Sequence, residues 1–222
     1  VIRRPLEITV ANSSAKKEWM HEAAERFNER TANERDLQLR VLLLFGQPIE
    51  VKFVPEEISP GRWDDYRSGT MIRDILNNQT GERPQIKPTV ASPAERTWIE
   101  NLKGRWRGIP ITTEEAPGVG GTPFVIAMWR SRAQAMGCWP DPGPDCTWAR
   151  LRALAVSPDG WGALGHPDWG KLKYGFGIPG ESNSGTLTLV FNCMGGLNKA
   201  PVTLNDVRLQ SECGQTMSAF DK

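Results

Sequence analysis

The feature that most constrains this chain is its opening succession of strand, polar cap and helix. Residues 6–11 (LEITVA) are rich in β-branched side chains and read as a short strand. Asn12, Ser13 and Ser14 follow, all residue types that cap helices. Trp19, Met20, Ala23, Ala24 and Phe27 then recur at helical spacing, leaving Lys16, Lys17, Glu22, Glu25 and Arg26 to face water. This is the start of a βα unit, and the alternation continues. A second strand is expected at 49–54 and a helix at 67–78, carrying Met71, Ile72, Ile75 and Leu76. Residues 84–90 are again extended, and Ser92-Pro93 leads into a helix with Trp98, Ile99 and Leu102. Such alternation predicts an α/β layer structure with a largely parallel sheet.

The second half changes character after PGVGGTP at 117–123, where a lobe boundary near Gly118–Thr122 is expected, dividing the chain into 1–121 and 122–222. An apolar strand is expected over Phe124 to Trp129, followed by a helix and a Pro-rich loop. Trp148, Leu151, Leu154 and Ala155 suit a further helix that ends at the turn Ser157-Pro158-Asp159-Gly160. The run LKYGFGIP then leads through Ser182, Asn183 and Ser184 into a helix with Leu187, Val190, Phe191 and Met194, and a last helix is expected around Leu204 to Leu209.

Charge and length exclude several functions. With 27 Lys/Arg against 26 Asp/Glu, balanced as 18 against 18 in residues 1–121 and 9 against 8 in residues 122–222, no basic face is available for nucleic acid. The densest apolar run is VLLLF at 41–45, far too short to span a membrane. The chain opens VIRRPLEITV with no initiating Met; a removed signal peptide explains that, and so does trimming of a longer product. Of four cysteines, Cys138 and Cys146 flank the loop WPDPGPD and suit a disulfide that closes it. Four reduced thiols remain the alternative. No CxxC spacing supports a zinc ribbon.

Four motifs bear on chemistry. Gly175-Phe176-Gly177-Ile178-Pro179-Gly180 matches GxGxxG, but it lies late in the chain, Pro179 stiffens it, and no acidic residue follows at dinucleotide-fold spacing. Gly165 to Leu172 approaches a P-loop, yet Leu172 stands where a Mg²⁺-holding hydroxyl is needed; an ordered loop anchored by Trp169 is expected. GESNS at 180–184 falls short of the nucleophile elbow, and His21 and His166 are the only histidines available to a triad or a metal. The fourth signal is the pair of polar loops that each open a helix, Asn12-Ser13-Ser14 and Ser182-Asn183-Ser184. Hydroxyls and amides at helix starts hold anions or polar ligand heads; ordinary capping is the competing explanation.

Taken in order, ITVANSSAKKEWM, PQIKPTVASPAERTWIENL, GGTPFVIAMWRSRAQAMG and SPDGWGALGHPDWGKLKYGFGIPGESNSGTLTLVF resemble the bacterial extracellular solute-binding proteins of the type II periplasmic-binding-protein fold. Within that group the likeness is to substrate-binding domains sometimes joined to a von Willebrand A domain, and it runs from about Glu7 to Val207. The resemblance implies an exported, two-lobed α/β protein with mixed, largely parallel sheets that closes on a small polar solute or oxyanion. It implies ligand loops at Asn12, Ser13 and Ser14, at Ser92, at Thr122, and at Ser182, Asn183 and Ser184. It also implies capture without catalysis, no cofactor and no metal, with a membrane transporter of the ABC type or a von Willebrand A domain as partner. Family members continue beyond the position of Lys222, so the second lobe is expected to be incomplete. A serine-dependent hydrolase or transferase acting through Ser184 or Ser14, and a cell-surface interaction module, are the competing expectations.

Overall fold

The structure is a computed structural model that describes residues 4–33, 39–41, 45–54, 66–112, 117–198 and Cys213. It is mixed α/β and divides into two units, Val1–Gly120 with Glu181–Asn183, and Gly121–Gly180 with Ser184–Lys222. The helix expected over 204–209 lies outside the described residues.

The first unit is built on a small open parallel sheet. Its centre is β1 (Leu6–Asn12), flanked by β4 (Ile49–Phe53) and β5 (Val90–Ser92). Leu6 registers with Ile49 and Val10 with Phe53 on one side, while Val10 meets Val90 and Asn12 meets Ser92 on the other. Both pairings are parallel, so each crossover must carry a helix: α1 (Lys17–Asn33) precedes β4, and α2 (Ser68–Thr80) precedes β5. A two-stranded antiparallel ribbon of β2 (Leu39–Val41) and β3 (Phe45–Gln47) lies between α1 and β4 in the chain.

The core of this unit forms where α2 and α3 (Arg96–Arg105) meet the sheet. Met71, Ile72, Ile75 and Leu76 from α2 pack with Ala11, Tyr66, Ile86, Trp98 and Leu102, all buried. The spacing of these α2 residues turns them inward over about one and a half turns, and Gly81 at φ +80° ends the helix, its N–H donating to Asn77 O.

Helix α1 differs from its expected orientation. Trp19 and Phe27 remain 46% and 37% exposed, and the positions held inward are Ala24, Asn28 and Thr31. The hydrogen bonds of the β4 backbone account for this. Asn28 Nδ2 donates to Val51 O at 3.0 Å, Val51 N–H donates to Asn28 Oδ1 at 2.7 Å, and Thr31 Oγ1 donates to Ile49 O at 2.5 Å. An unpaired strand edge is costly to cover without partners, so the helix presents its amide and hydroxyl rather than its largest apolar groups.

The second unit carries α4 (Arg130–Ala135), α5 (Trp148–Val156) and all but the first residue of α6 (Asn183–Leu197), with 3-10 turns at Gly160–Leu164 and Pro167–Trp169 between α5 and α6. Thr147 caps α5 by accepting the Arg150 N–H. Met136, Leu151, Leu154 and Trp161 form the buried core, and Phe124, Trp148 and Phe191 stack with ring centroids 5.1–5.9 Å apart. The run expected as a strand at 124–129 joins no ladder among the described residues, and neither does LKYGFGIP at 172–179. Phe124, Ile126 and Met128 are nevertheless half-buried while Val125, Ala127 and Trp129 are exposed, which is the alternation of a strand.

Disulfides link Cys138 to Cys146 and Cys193 to Cys213. The first closes the WPDPGPD loop. The region that approached a P-loop is held as an ordered loop: Trp169 carries the Arg132 guanidinium 3.8 Å from its ring centroid and the stacked His166 ring also at 3.8 Å. Two groups so close to one ring must occupy its opposite faces. Gly180 N–H donates to Thr186 Oγ1 at 3.0 Å, so this amide of the GxGxxG run is satisfied within the chain.

Candidate functional site

Polar groups converge at the carboxyl ends of β1 and β5. Ser13 follows β1 directly, and its N–H donates to Ser92 O at 3.1 Å, tying the two loops together. Ser14 N–H donates to Tyr66 O at 2.9 Å, which brings in the start of α2. There Ser68 donates its hydroxyl to Ser13 Oγ at 3.3 Å and accepts the Ala94 N–H at 2.9 Å. Ser13 and Ser68 are 3% and 1% exposed, so these are buried hydroxyls rather than solvated caps. The direction of the chain matters. Ala94 N–H donates to Ser68, Ser68 donates to Ser13, and the Ser13 proton is left pointing onward as a donor.

Lys16 approaches the same turn from the other side. Its ammonium donates to Ser92 Oγ at 2.6 Å and to Pro93 O at 2.8 Å. Burial lowers its pKa from the ordinary lysine value. Asn12, which registers with Ser92 across the ladder, is buried, and its Oδ1 has no hydrogen-bond partner.

Among the expected residues, Asn12, Ser13, Ser14 and Ser92 are therefore brought together. Ser182 and Asn183 also belong to the first unit, in the short piece Glu181–Asn183. This piece is held on the helices: Gly69 N–H donates to Glu181 O at 2.7 Å, Arg67 pairs with the Glu181 carboxylate at 3.4 Å, and Asn183 Oδ1 accepts Trp98 Nε1–H at 2.9 Å. Asn183 thus orients a core tryptophan. Thr122 and Ser184 belong to the second unit and are exposed. Ser184 lines a largely apolar cavity of about 1100 Å³ together with Phe124 to Trp129 and Tyr174.

Sequence reasoning missed Ser68 and set Lys16 among the residues that can face water, with inward folding of Lys16, Lys17 or Lys87 left open. A weak signal existed for Ser68, as Ser68-Gly69-Thr70 precedes the apolar run Met71-Ile72 in the way a capping segment does. For Lys16 there was none, because only the parallel pairing of β1 with β5, some 80 residues later, places Ser92 within its reach.

The 1100 Å³ cavity is walled mainly by apolar and aromatic groups, with Arg132, Lys171 and Lys173 also on its lining, and one of about 730 Å³ beside β5 is lined by Ile75, Ile86, Ile99, Leu102 and Trp106 as well as Ser92. Among the described residues, these cavities and the hydroxyl cluster share only Ser92. Recognition of a polar solute depends on placed donors and acceptors more than on volume, so the hydroxyl cluster carries the argument. His21 stacks on Phe53 at 3.9 Å and His166 on Trp169. Among the described residues no group of three or more His, Cys, Asp or Glu side chains could hold a metal ion, and no helix is long and apolar enough to cross a membrane.

No protein-family model, no curated protein and no solved structure matches the chain.

Proposed function

We propose that this chain is an extracytoplasmic receptor that captures a small polar solute or oxyanion, built as the two-lobed type II arrangement with lobes at 1–121 and 122–222. The observation that carries the reading is the Ala94–Ser68–Ser13 donor chain at the carboxyl ends of β1 and β5. Open parallel sheets bind ligands at that end of their strands, and a buried hydroxyl left as a donor prefers a ligand acceptor to no partner at all. Ser13, Ser14, Ser92 and Asn12 supply the ligand loops of the first unit in this reading, with Ser182 and Asn183 beside them. Thr122 and Ser184 enter it only through the resemblance. The two disulfides suit an oxidising compartment, and a membrane transporter or a von Willebrand A domain is the partner the resemblance implies.

A thermal-shift panel of sugars, amino acids, polyamines, oxyanions and divalent metals tests it. Saturation at a hundredfold excess over Kd stabilises the native state by about 2.7 kcal/mol, so one chemical class should raise Tm by several degrees, and Ser13→Ala should remove the shift. A flat panel counts against a receptor.

One observation favours a second reading. Lys16 Nζ lies 2.6 Å from Ser92 Oγ with its pKa lowered by burial, the pairing a serine–lysine nucleophile requires. Against it, the same nitrogen donates to Pro93 O, a bond that needs a proton and turns the nitrogen into a donor rather than a base. Covalent labelling of Ser92 by a fluorophosphonate, lost in Lys16→Met, would establish this reading in place of capture.

A further inference from the structure

The structure assigns a charge to the ligand: we propose that it presents an anionic oxygen group, a carboxylate or an inorganic oxyanion, to the Lys16 ammonium and the Ser92 hydroxyl. This rests on the receptor reading above and deepens it.

The first argument is an uncompensated charge. Lys16 is half-buried, and its partners are two neutral acceptors, Ser92 Oγ and Pro93 O. The other lysines in ion pairs of this unit have carboxylates: Lys52 pairs with Glu7 and Glu50, and Lys103 with Glu100. Among the described residues no carboxylate is paired with Lys16. Glu95, just past Ser92, accepts the Thr97 hydroxyl on Oε2, and Glu18, in the first turn of α1, is exposed. Lys17 adds a further positive charge next to Lys16. Desolvation is the cause of the lowered Lys16 pKa. A cation withdrawn from water without a counter-ion is costly, and a ligand anion is what removes that cost.

The second argument is hydrogen-bond direction. An ammonium has three protons, and two are placed on Ser92 Oγ and Pro93 O. Ser92 Oγ, having accepted from Lys16, keeps its own proton to donate. The third ammonium proton and the Ser92 hydroxyl are thus two donors at one turn, and the Ser13 donor lies on the loop bonded to that turn through Ser13 N–H to Ser92 O. Beside the unpartnered Asn12 Oδ1, an acceptor, these donors suit a ligand oxygen, and the ammonium charge selects an anion.

The test is calorimetric titration and thermal shift of the whole chain with sodium nitrate, sulfate, phosphate and acetate, beside glucose and urea as neutral probes, on wild type, Lys16→Met, Lys16→Arg and Ser92→Ala. One anion is expected to bind wild type, to bind Lys16→Met about a hundredfold more weakly, and to bind Lys16→Arg within a few fold of wild type. Whether acetate or an inorganic ion is preferred decides between the two sources of the group. Should Lys16→Met lose its fold, judged by its ligand-free Tm and circular dichroism, Ser92→Ala carries the test with an expected loss of about tenfold. Equal binding of an anion to wild type and to either folded variant overturns the assignment. A neutral probe that binds wild type and Lys16→Met alike overturns the charge while leaving the receptor standing. No binding by any probe overturns both.

Discussion

The two units contain extended segments of similar quality and use them differently. In the first, β1 pairs along its length with β4 and at its end with β5. In the second, Phe124–Trp129 alternates between half-buried and exposed residues, as a strand does, and joins no ladder among the described residues. The sequence supplies apolar alternation in both places, and what separates them is the neighbour. β1 meets partners about 40 and 80 residues further along the chain, and β4 has part of its other side covered by Asn28 and Thr31. Alternation chooses which face is buried; pairing is a separate, non-local event that alternation alone does not secure.

Amide hydrogen exchange tests that contrast with the largest expected effect. The amides of Ile8 to Val10, inside a sheet buttressed by a buried core, should exchange about three orders of magnitude or more slower than unstructured amides, since they open only with much of the unit. Those of Val125 to Met128 should exchange within about tenfold of the unstructured rate. Comparable protection in both segments would show that 124–129 is paired in solution and would erase the distinction.

The same contrast explains how much was legible beforehand. Helix α2 could be read closely because Met71, Ile72, Ile75 and Leu76 form a one-sided stripe, and a stripe is local. The α/β alternation of the first unit was readable for the same reason, as β1, α1, β4, α2, β5 and α3 each carry their own signal. The face of α1 was not, because Trp19 and Phe27 look like core while Asn28 and Thr31 look like surface until a strand edge arrives to receive them. The site was half readable. Asn12, Ser13, Ser14 and Ser92 stand out as polar residues at strand ends, whereas Ser68 and Lys16 acquire meaning only when β1 and β5 lie side by side.

A second prediction, of intermediate size, concerns that edge. Asn28→Ala removes a donor and an acceptor from Val51, leaving the Val51 N–H and C=O without those partners in a half-buried position. The expected loss is about 1–3 kcal/mol in denaturant unfolding, and Asn28→Asp should recover only the bond from the Val51 N–H. A loss below about 0.5 kcal/mol would mean that water replaces the amide freely and that α1 is held by apolar contact instead. An exposed helix position elsewhere, such as Glu22, gives the baseline, since Glu22→Ala touches only a surface ion pair with Arg26 and should cost about 0–1 kcal/mol.

The smallest expected effect is a pH dependence confined to the first unit's polar turn. Burial lowers the Lys16 pKa below 10.5, so between the lowered value and 10.5 the unfolded chain holds a proton that the folded chain has released. Unfolding then takes up a proton, and stability rises with pH across that window. Below it the cost of the buried charge stands in full; above it both states are neutral. Tyr66 works in the opposite sense, since burial followed by the nearby Asp74 charge raises its pKa, and stability falls as pH rises above 10.0. His21, lowered first by burial and then by Lys17 against an opposing Glu25, adds a rise with pH below 6.5. The Tyr66 and His21 contributions are common to wild type and Lys16→Met and cancel in their difference. Wild type should therefore gain on Lys16→Met as the buffer is taken from pH 8 towards 10.5 in paired thermal melts, and a flat difference would mean that Lys16 is solvated. Adding the anion that binds should flatten the slope, because a bound negative group stabilises the ammonium and returns its pKa towards that of the unfolded chain.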